Sequence, residues 1–170
     1  MTDGITETPI LIVGGGPIGL ALAVDLGWRG IECILVEQSD GTIDLPRANT
    51  IDLRTMEQAR RWGIADAIRA EGLPADYPHT ALYATSLGGY ELARFDRVGL
   101  GDPATKEVSP ERPQRCNQLF FDPILRARAA ELPGIDIRFN TRFDDFTQDE
   151  AGVTAVITDT LTGATSTIRS

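Results

Sequence analysis

A cluster of glycines near the start of the chain has the spacing to hold a phosphate. Gly14-Gly15-Gly16-Pro17-Ile18-Gly19 fits the pattern G-x-G-x-x-G, and Glu37 lies 23 residues after Gly14 and 18 after Gly19. A turn of this kind, opening a helix, presents free N–H groups and a partial positive charge to a pyrophosphate. Gly14 permits the tight turn, Gly16 lets the backbone approach the phosphates, and Gly19 lets the helix pack on the preceding strand. A carboxylate about 20 residues further on accepts hydrogen bonds from ribose hydroxyls. It also repels a 2′-phosphate, which disfavours NADP at this site. With Pro17, Ile18 and Gln38 beside them, these are the expected contacts of a dinucleotide. The motif alone leaves NAD and FAD both open.

Other chemistry finds little support. His79 is the single histidine, so a Ser-His-Asp or Cys-His arrangement has only that residue to use, and it reads as a surface side chain in a YPHT loop. The Asp144-Asp145 pair reads as a solvated face of a strand, and no metal site is expected. Cys33 and Cys116 lie 83 positions apart with no CxxC spacing, which excludes a disulfide framework and a zinc ribbon. Trp28 and Trp62 read as core packing.

The elements that must position the glycines can be read locally. Pro9 to Val13 (PILIV) is a short apolar run, as in a strand buried on both faces of a parallel sheet. Pro17 suits the first turn of a helix. Asp25 is the only charge between Ile18 and Trp28, so that helix reads as mostly buried, with Gly30 as its end. Glu32 to Glu37 (ECILVE) is a second buried strand. Together they form one βαβ unit, whose crossover is right-handed.

After a loop at Ser39 to Ala48, Asn49 or Thr50 is placed to cap a helix reaching about Trp62, with Leu53, Met56 and Ala59 on one face and Gly63 as its stop. Ala65 to Glu71 is a shorter helix closed by Gly72. Thr80 to Ser86 and Tyr90 to Phe95 flank Leu87-Gly88-Gly89 as an antiparallel hairpin. Val98 to Pro113 reads as loop. Gln118 to Leu132 reads as helix, beginning either at Pro123 with Asp122 as cap or with an irregular first turn. Ile135 to Phe139 is a third parallel strand. Thr141 to Gln148, Val153 to Asp159 and Thr165 to Arg169 form a three-stranded meander.

Composition bounds the partners. The chain has 170 residues, with 16 basic and 25 acidic side chains and a net charge of −9. This balance argues against binding nucleic acid, which needs a basic face, and against an anionic membrane surface. Hydrophobic content of 42% and charged content of 24% are ordinary for a globular domain, which makes disorder an unsuitable reading. No apolar run reaches the roughly 18 residues of a membrane span. The first residues carry no basic n-region, so a cytoplasmic, reduced setting is the expectation.

The order of these pieces resembles the class A FAD-dependent aromatic monooxygenases, the para-hydroxybenzoate hydroxylase and phenol hydroxylase family. The resemblance rests on Pro9 to Gln38, on PRANTIDLRTMEQARRWGI (Pro46 to Ile64), on RCNQLFFDPIL (Arg115 to Leu125) and on the GIDIRFNTRF strand pair. It implies a Rossmann-like α/β fold over residues 1–170, in which the hairpin at 80–97 begins a substrate-domain sheet. It implies FAD as cofactor, with NAD(P)H and dioxygen as co-substrates and hydroxylation of a phenol-like aromatic ring. It places Gly14, Gly16 and Gly19 on the FAD pyrophosphate and Glu37 on the adenosine ribose. Arg47 resembles the family arginine that reaches the FAD phosphates, where a guanidinium binds oxygens bidentately. Gln118 matches the glutamine that hydrogen-bonds the cofactor, and Arg115 adds charge. Asn49 occupies a position near the flavin ring, but an amide is no general base, so no catalytic residue is assigned.

Family members are longer than this chain. A piece of a longer product, or a shortened relative acting as a non-catalytic nucleotide module, is therefore expected; an FAD-linked reductase without oxygen insertion is the third reading. The three-stranded parallel sheet and the meander leave an edge and a face uncovered, which leaves room for a homo-oligomer.

Overall fold

A computed structural model describes residues 5–74, 77, 80–96 and 108–170. His79, and the part of the expected loop from Val98 to residue 107, lie outside the described residues. Two units are resolved, one of residues 1–46 and 121–170 and the other of residues 47–120.

The first unit carries the βαβ element. β1 is Thr6–Glu7, β2 is Leu11–Val13, α1 is Pro17–Trp28 and β3 is Cys33–Val36. β3 is the middle strand of a three-stranded parallel sheet. It pairs with β2 through Leu11↔Ile34 and Val13↔Val36, and with Ile135–Arg138 through Cys33↔Ile135 and Val36↔Arg138. All four β3 side chains are buried, so both faces of the sheet are covered. Ile34 and Val36 point into a cluster with Ile157 and Ile168, against which Leu11 and Phe143 pack. α1 packs against β3 and buries Leu20, Ala23, Val24 and Gly27. Each large aliphatic group buried in this way contributes roughly 1.5–3 kcal/mol.

The meander consists of Thr141–Asp149, Gly152–Asp159 and Thr165–Arg169, antiparallel throughout, with a register shift between Val156 and Ile157. At its Thr165–Arg169 edge β1 lies parallel to it, with Thr6↔Ile168 and Glu7↔Arg169. α1 is less buried than its composition suggests, since Ile18 is 83% exposed and Leu22 also faces outward. Trp28 is not core: it is 44% exposed, and the Arg29 guanidinium lies 5.9 Å from its ring.

In the second unit β4 (Thr50–Ile51) pairs antiparallel with Gln114–Arg115. The cap of α2 (Leu53–Trp62) is Asp52, whose carboxylate accepts from Thr55 N, and neither Asn49 nor Thr50 serves. Thr50 is taken up by the short strand, so the first free polar side chain after it does the capping. Gly63 ends α2, and α3 follows at Ala65–Glu71 with Gly72 beyond it. Met56, Ala59, Trp62 and Ile68 are buried, while Leu53 is only half-buried. Glu111 is buried between Arg69, which ion-pairs with it, and Arg60 at 3.6 Å. The hairpin is β5 (Thr80–Ala84) with β6 (Glu91–Asp96), antiparallel, and Tyr83 meets Phe95 edge to face at 5.6 Å.

β7 (Gln114–Arg115) leads into α4 (Gln118–Ala130). This helix begins at Gln118 with a tight first turn, as Phe120 N donates to Asn117 O and Leu119 N to Asn117 Oδ1. Pro123 lies inside it and Asp122 is buried, so the alternative with Asp122 as cap does not hold. β8 (Ile135–Arg138) completes the parallel sheet, and the meander strands are β9, β10 and β11 in chain order.

Candidate FAD site

The turn between β2 and α1 is built by three different demands on its glycines. Gly14 sits at φ +109°, where a side chain is strained, and its N–H donates to Val36 O at 2.8 Å. A Cβ at Gly19 would stand 2.0 Å from Gly14 O, so this position admits only the closest approach of helix to strand. A Cβ at Gly16 would meet nothing within 4 Å. That open space lies at the N-cap of α1, where no side chain caps the helix. Pro17 has no N–H, so Ile18 and Gly19 carry the first amides of the helix.

Glu37 closes the turn from the end of β3. Its Oε2 accepts from Gly15 N at 2.8 Å, and its Oε1 accepts from Ser39 N and Ser39 Oγ, each at 2.8 Å. Burial pushes its carboxyl up, but the hydrogen bonds from Ser39, Gly15 and Gln38 outweigh it and hold the group below the ordinary value of 4.5. It is an anion at neutral pH. Gly15 and Ser39 thus engage both oxygens of this half-buried carboxylate. Gln38 follows it, exposed.

Gly15 is a position of the turn that the motif leaves unassigned and that Glu37 constrains. A Cβ there would stand 2.8 Å from Glu37 Cβ and 3.0 Å from Glu37 Cγ. The unbroken Gly14-Gly15-Gly16 run is the only sequence signal for it. Ser39 is the second, marked only by its place two residues after the acid.

The remaining expected residues lie in the second unit. Gln118 Oε1 accepts from Arg47 N at 2.9 Å, and Gln118 N donates to Ala48 O at 3.0 Å. The glutamine thus fixes the backbone at Arg47, whose side chain is exposed. Arg115 pairs with Thr50 in β7, and its guanidinium lies 6.0 Å from the Tyr77 ring. The structure therefore joins Gly14, Gly15, Gly16, Gly19 and Glu37 in one unit, and Arg47 with Gln118 in the other.

Cys116 is no nucleophile, because burial and the nearby Glu71 push its thiol up to about 11. Asn49 Oδ1 accepts from Thr50 Oγ1 at 3.0 Å. Among the described residues no group of three or more His, Cys, Asp or Glu is placed to hold a metal ion. No helix among them is long and apolar enough to cross a membrane.

Comparison with known proteins decides which dinucleotide this turn belongs to. Residues 7–170 match the family described as FAD binding domain. The chain belongs to the FAD-binding domain family. The domain is similar to tetracenomycin B2 monooxygenase-dioxygenase of Streptomyces olivaceus, at 43% identity over 96% of this chain and 32% of that protein. It is 33% identical to phenol 2-monooxygenase of Pseudomonas sp. (strain EST1001) over 97% of this chain and 28% of that protein. Among solved structures, the flavin-dependent monooxygenase PieE in complex with FAD and substrate superposes with a TM-score of 0.86 at 36% identity, covering 96% of this chain and 29% of that one. The FAD-binding domain thus spans about a third of the length of the curated relatives it matches.

FAD is the family's cofactor, and the residues present fit it. The uncapped N-terminus of α1 and the open space at Gly16 suit a pyrophosphate. The anionic Glu37 beside them suits a ribose.

Proposed function

We propose that this FAD-binding domain is the flavin-holding portion of a monooxygenase that hydroxylates a phenol-like aromatic substrate with NAD(P)H and dioxygen. The observation that carries the flavin half is the glycine turn, closed on Glu37 through Gly15 N and open at Gly16. The hydroxylase half is supported by relatives named for phenol, 2,4-dichlorophenol and 4-methyl-5-nitrocatechol, at 33%, 34% and 38% identity.

Bound FAD supplies the redox chemistry, accepting reducing equivalents from NAD(P)H and activating dioxygen. The chain's own residues bind and orient it. The amides of Ile18 and Gly19 face the phosphates, Gly16 leaves them room, and Pro17 presets the helix start. Glu37 takes the ribose, with Gln38 beside it. Arg47, on a backbone held by Gln118, and Arg115 are the further FAD contacts that the resemblance implies. The hairpin β5–β6 begins the substrate sheet, with Leu82, Tyr83, Leu92 and Phe95 exposed for the rest of that sheet to cover.

The test uses the protein at the full length its gene encodes. Purified protein is assayed for bound FAD, then for NAD(P)H oxidation and hydroxylated product by mass spectrometry across a panel of phenols. Coupled product formation supports the reading. Flavin reduction without oxygen insertion across the panel would make the protein a reductase, and absence of FAD binding would leave only a nucleotide fold.

A further inference from the structure

One side chain of α4 reaches the loop that follows Glu37. Arg126 Nη2 donates to Gly41 O at 2.6 Å, and the guanidinium lies 5.3 Å from the Phe139 ring centroid. Gly41 stands at φ +80°, and a Cβ there would be 2.5 Å from Phe139 Cε1 and 2.8 Å from Arg126 Nη1. The loop is therefore shaped around this pair, and only glycine fits.

From Gly41 a continuous set of hydrogen bonds runs back to the glycine turn. Gly41 N donates to Ser39 Oγ at 3.2 Å, and Ser39 donates twice to Glu37 Oε1. Glu37 Oε2 accepts from Gly15 N. Every member belongs to the same unit. Ser39 and Asp40 are exposed and bury no apolar surface that would fix the loop by packing. Two groups hold it by polar contact: Asn140 N donates to Ser39 O at 2.9 Å, and Arg126 holds Gly41 by one charge-assisted bond while its guanidinium lies over the Phe139 ring.

We propose that Arg126 is a positioning residue for the adenosine half of the cofactor. Acting through Gly41 and Ser39, it sets the Glu37 carboxylate in the orientation that ribose hydroxyls require. This rests on the reading of Glu37 as the ribose ligand.

The experiment titrates the flavin-free full-length protein with FAD and follows fluorescence, for Arg126→Met, Ser39→Ala, the double variant and Glu37→Ala. Urea unfolding of each flavin-free variant runs in parallel. Arg126→Met should raise the Kd about tenfold and Ser39→Ala about two- to tenfold, the range of a hydrogen bond to a charged or polar group. The double variant should bind no more than about twofold worse than the weaker single, because both cut one chain of contacts. A Kd for Arg126→Met within about twofold of wild type overturns the proposal, whatever its stability, and so do losses that multiply. Should Arg126→Met not fold, Ser39→Ala at its exposed position decides alone, and an unchanged Kd overturns the relay. Glu37→Ala separates the two levels. If it leaves the Kd unchanged, the ribose reading fails; if it weakens FAD while the other two do not, only the relay fails.

Discussion

Replacing Gly16 by valine should abolish FAD binding and leave the protein folded. The backbone at Gly16 is extended, φ −75° and ψ −178°, which valine adopts without strain. Nothing in the chain lies within 4 Å of the Cβ it would add. The folding cost is then mainly that of exchanging glycine for a poorer N-cap residue, about 1 kcal/mol. The binding cost is larger. Two helix amides, Ile18 and Gly19, follow directly on that N-cap, and each charge-assisted bond to a phosphate is worth about 1.5 kcal/mol or more. Losing both gives about 3 kcal/mol, which is over a hundredfold in Kd.

Gly19→Ala, three residues on, should do the reverse. Its Cβ would collide with the backbone of Gly14, at 2.0 Å from its O and 3.2 Å from its C, so it should destabilise the fold by about 1–3 kcal/mol or more. Circular dichroism and thermal melts read the first quantity, and FAD fluorescence titration reads the second. A Gly16→Val protein that keeps stoichiometric yellow flavin would show that the open space is not where the pyrophosphate sits. One that fails to fold would show that the space is not open.

Glu37→Ala in the full-length protein should weaken FAD by about 1–3 kcal/mol by fluorescence titration, the scale of charged hydrogen bonds. Because the Glu37 carboxyl is held below 4.5, its contribution is fully present above that value and is lost only as pH falls through the lowered one. FAD affinity measured from about pH 5 to 8 should therefore show no titration step that Glu37→Gln removes. Asp52→Ala deletes the cap of α2 and should cost about 1 kcal/mol in urea unfolding, with no change in m-value. Gln118→Ala frees the backbone at Arg47 and should weaken FAD and slow its reduction by NAD(P)H in stopped flow; Gln118→Glu keeps the acceptor oxygen for Arg47 N and should hold the loop better than alanine does.

The parts of the fold legible in the sequence are those decided within a few residues. β2 and β3 show as short apolar runs, β3 because its side chains are buried on both faces of a parallel sheet, while β8 shows as the alternation Ile-Asp-Ile-Arg. The meander shows because its turns need glycine at Gly152 and Gly163, both at positive φ. The parts that stayed hidden depend on partners far along the chain. Thr6–Glu7 has no periodicity to mark it as a strand, and it is one only because Ile168 and Arg169 lie alongside. Thr50–Ile51 is likewise a strand only through Gln114–Arg115. That pairing removes Thr50 from capping and passes the task to Asp52, a choice that the polar run around Asn49 leaves undetermined. Trp28 falls at the end of α1, where it stays 44% exposed with the Arg29 guanidinium 5.9 Å from its ring.

The same distinction runs through the site. The spacing of Gly14, Gly16, Gly19 and Glu37 marks a turn and an acid, because the turn's steric demands are written in glycine. It does not say that the acid shapes the turn. Glu37 Oε2 holds Gly15 N, and the bulk of Glu37 Cβ and Cγ is what excludes a side chain at Gly15. The carboxylate proposed for the ribose is thus also a structural member of the glycine turn, and removing it leaves a turn amide without its acceptor. An acid in such a position is oriented from two sides, by Gly15 on one oxygen and Ser39 on the other. Its aim at a ligand then depends on what fixes Ser39 and its loop: Asn140 N, which donates to Ser39 O, and an arginine 87 positions further along the chain, which holds Gly41 from a helix that no glycine motif mentions.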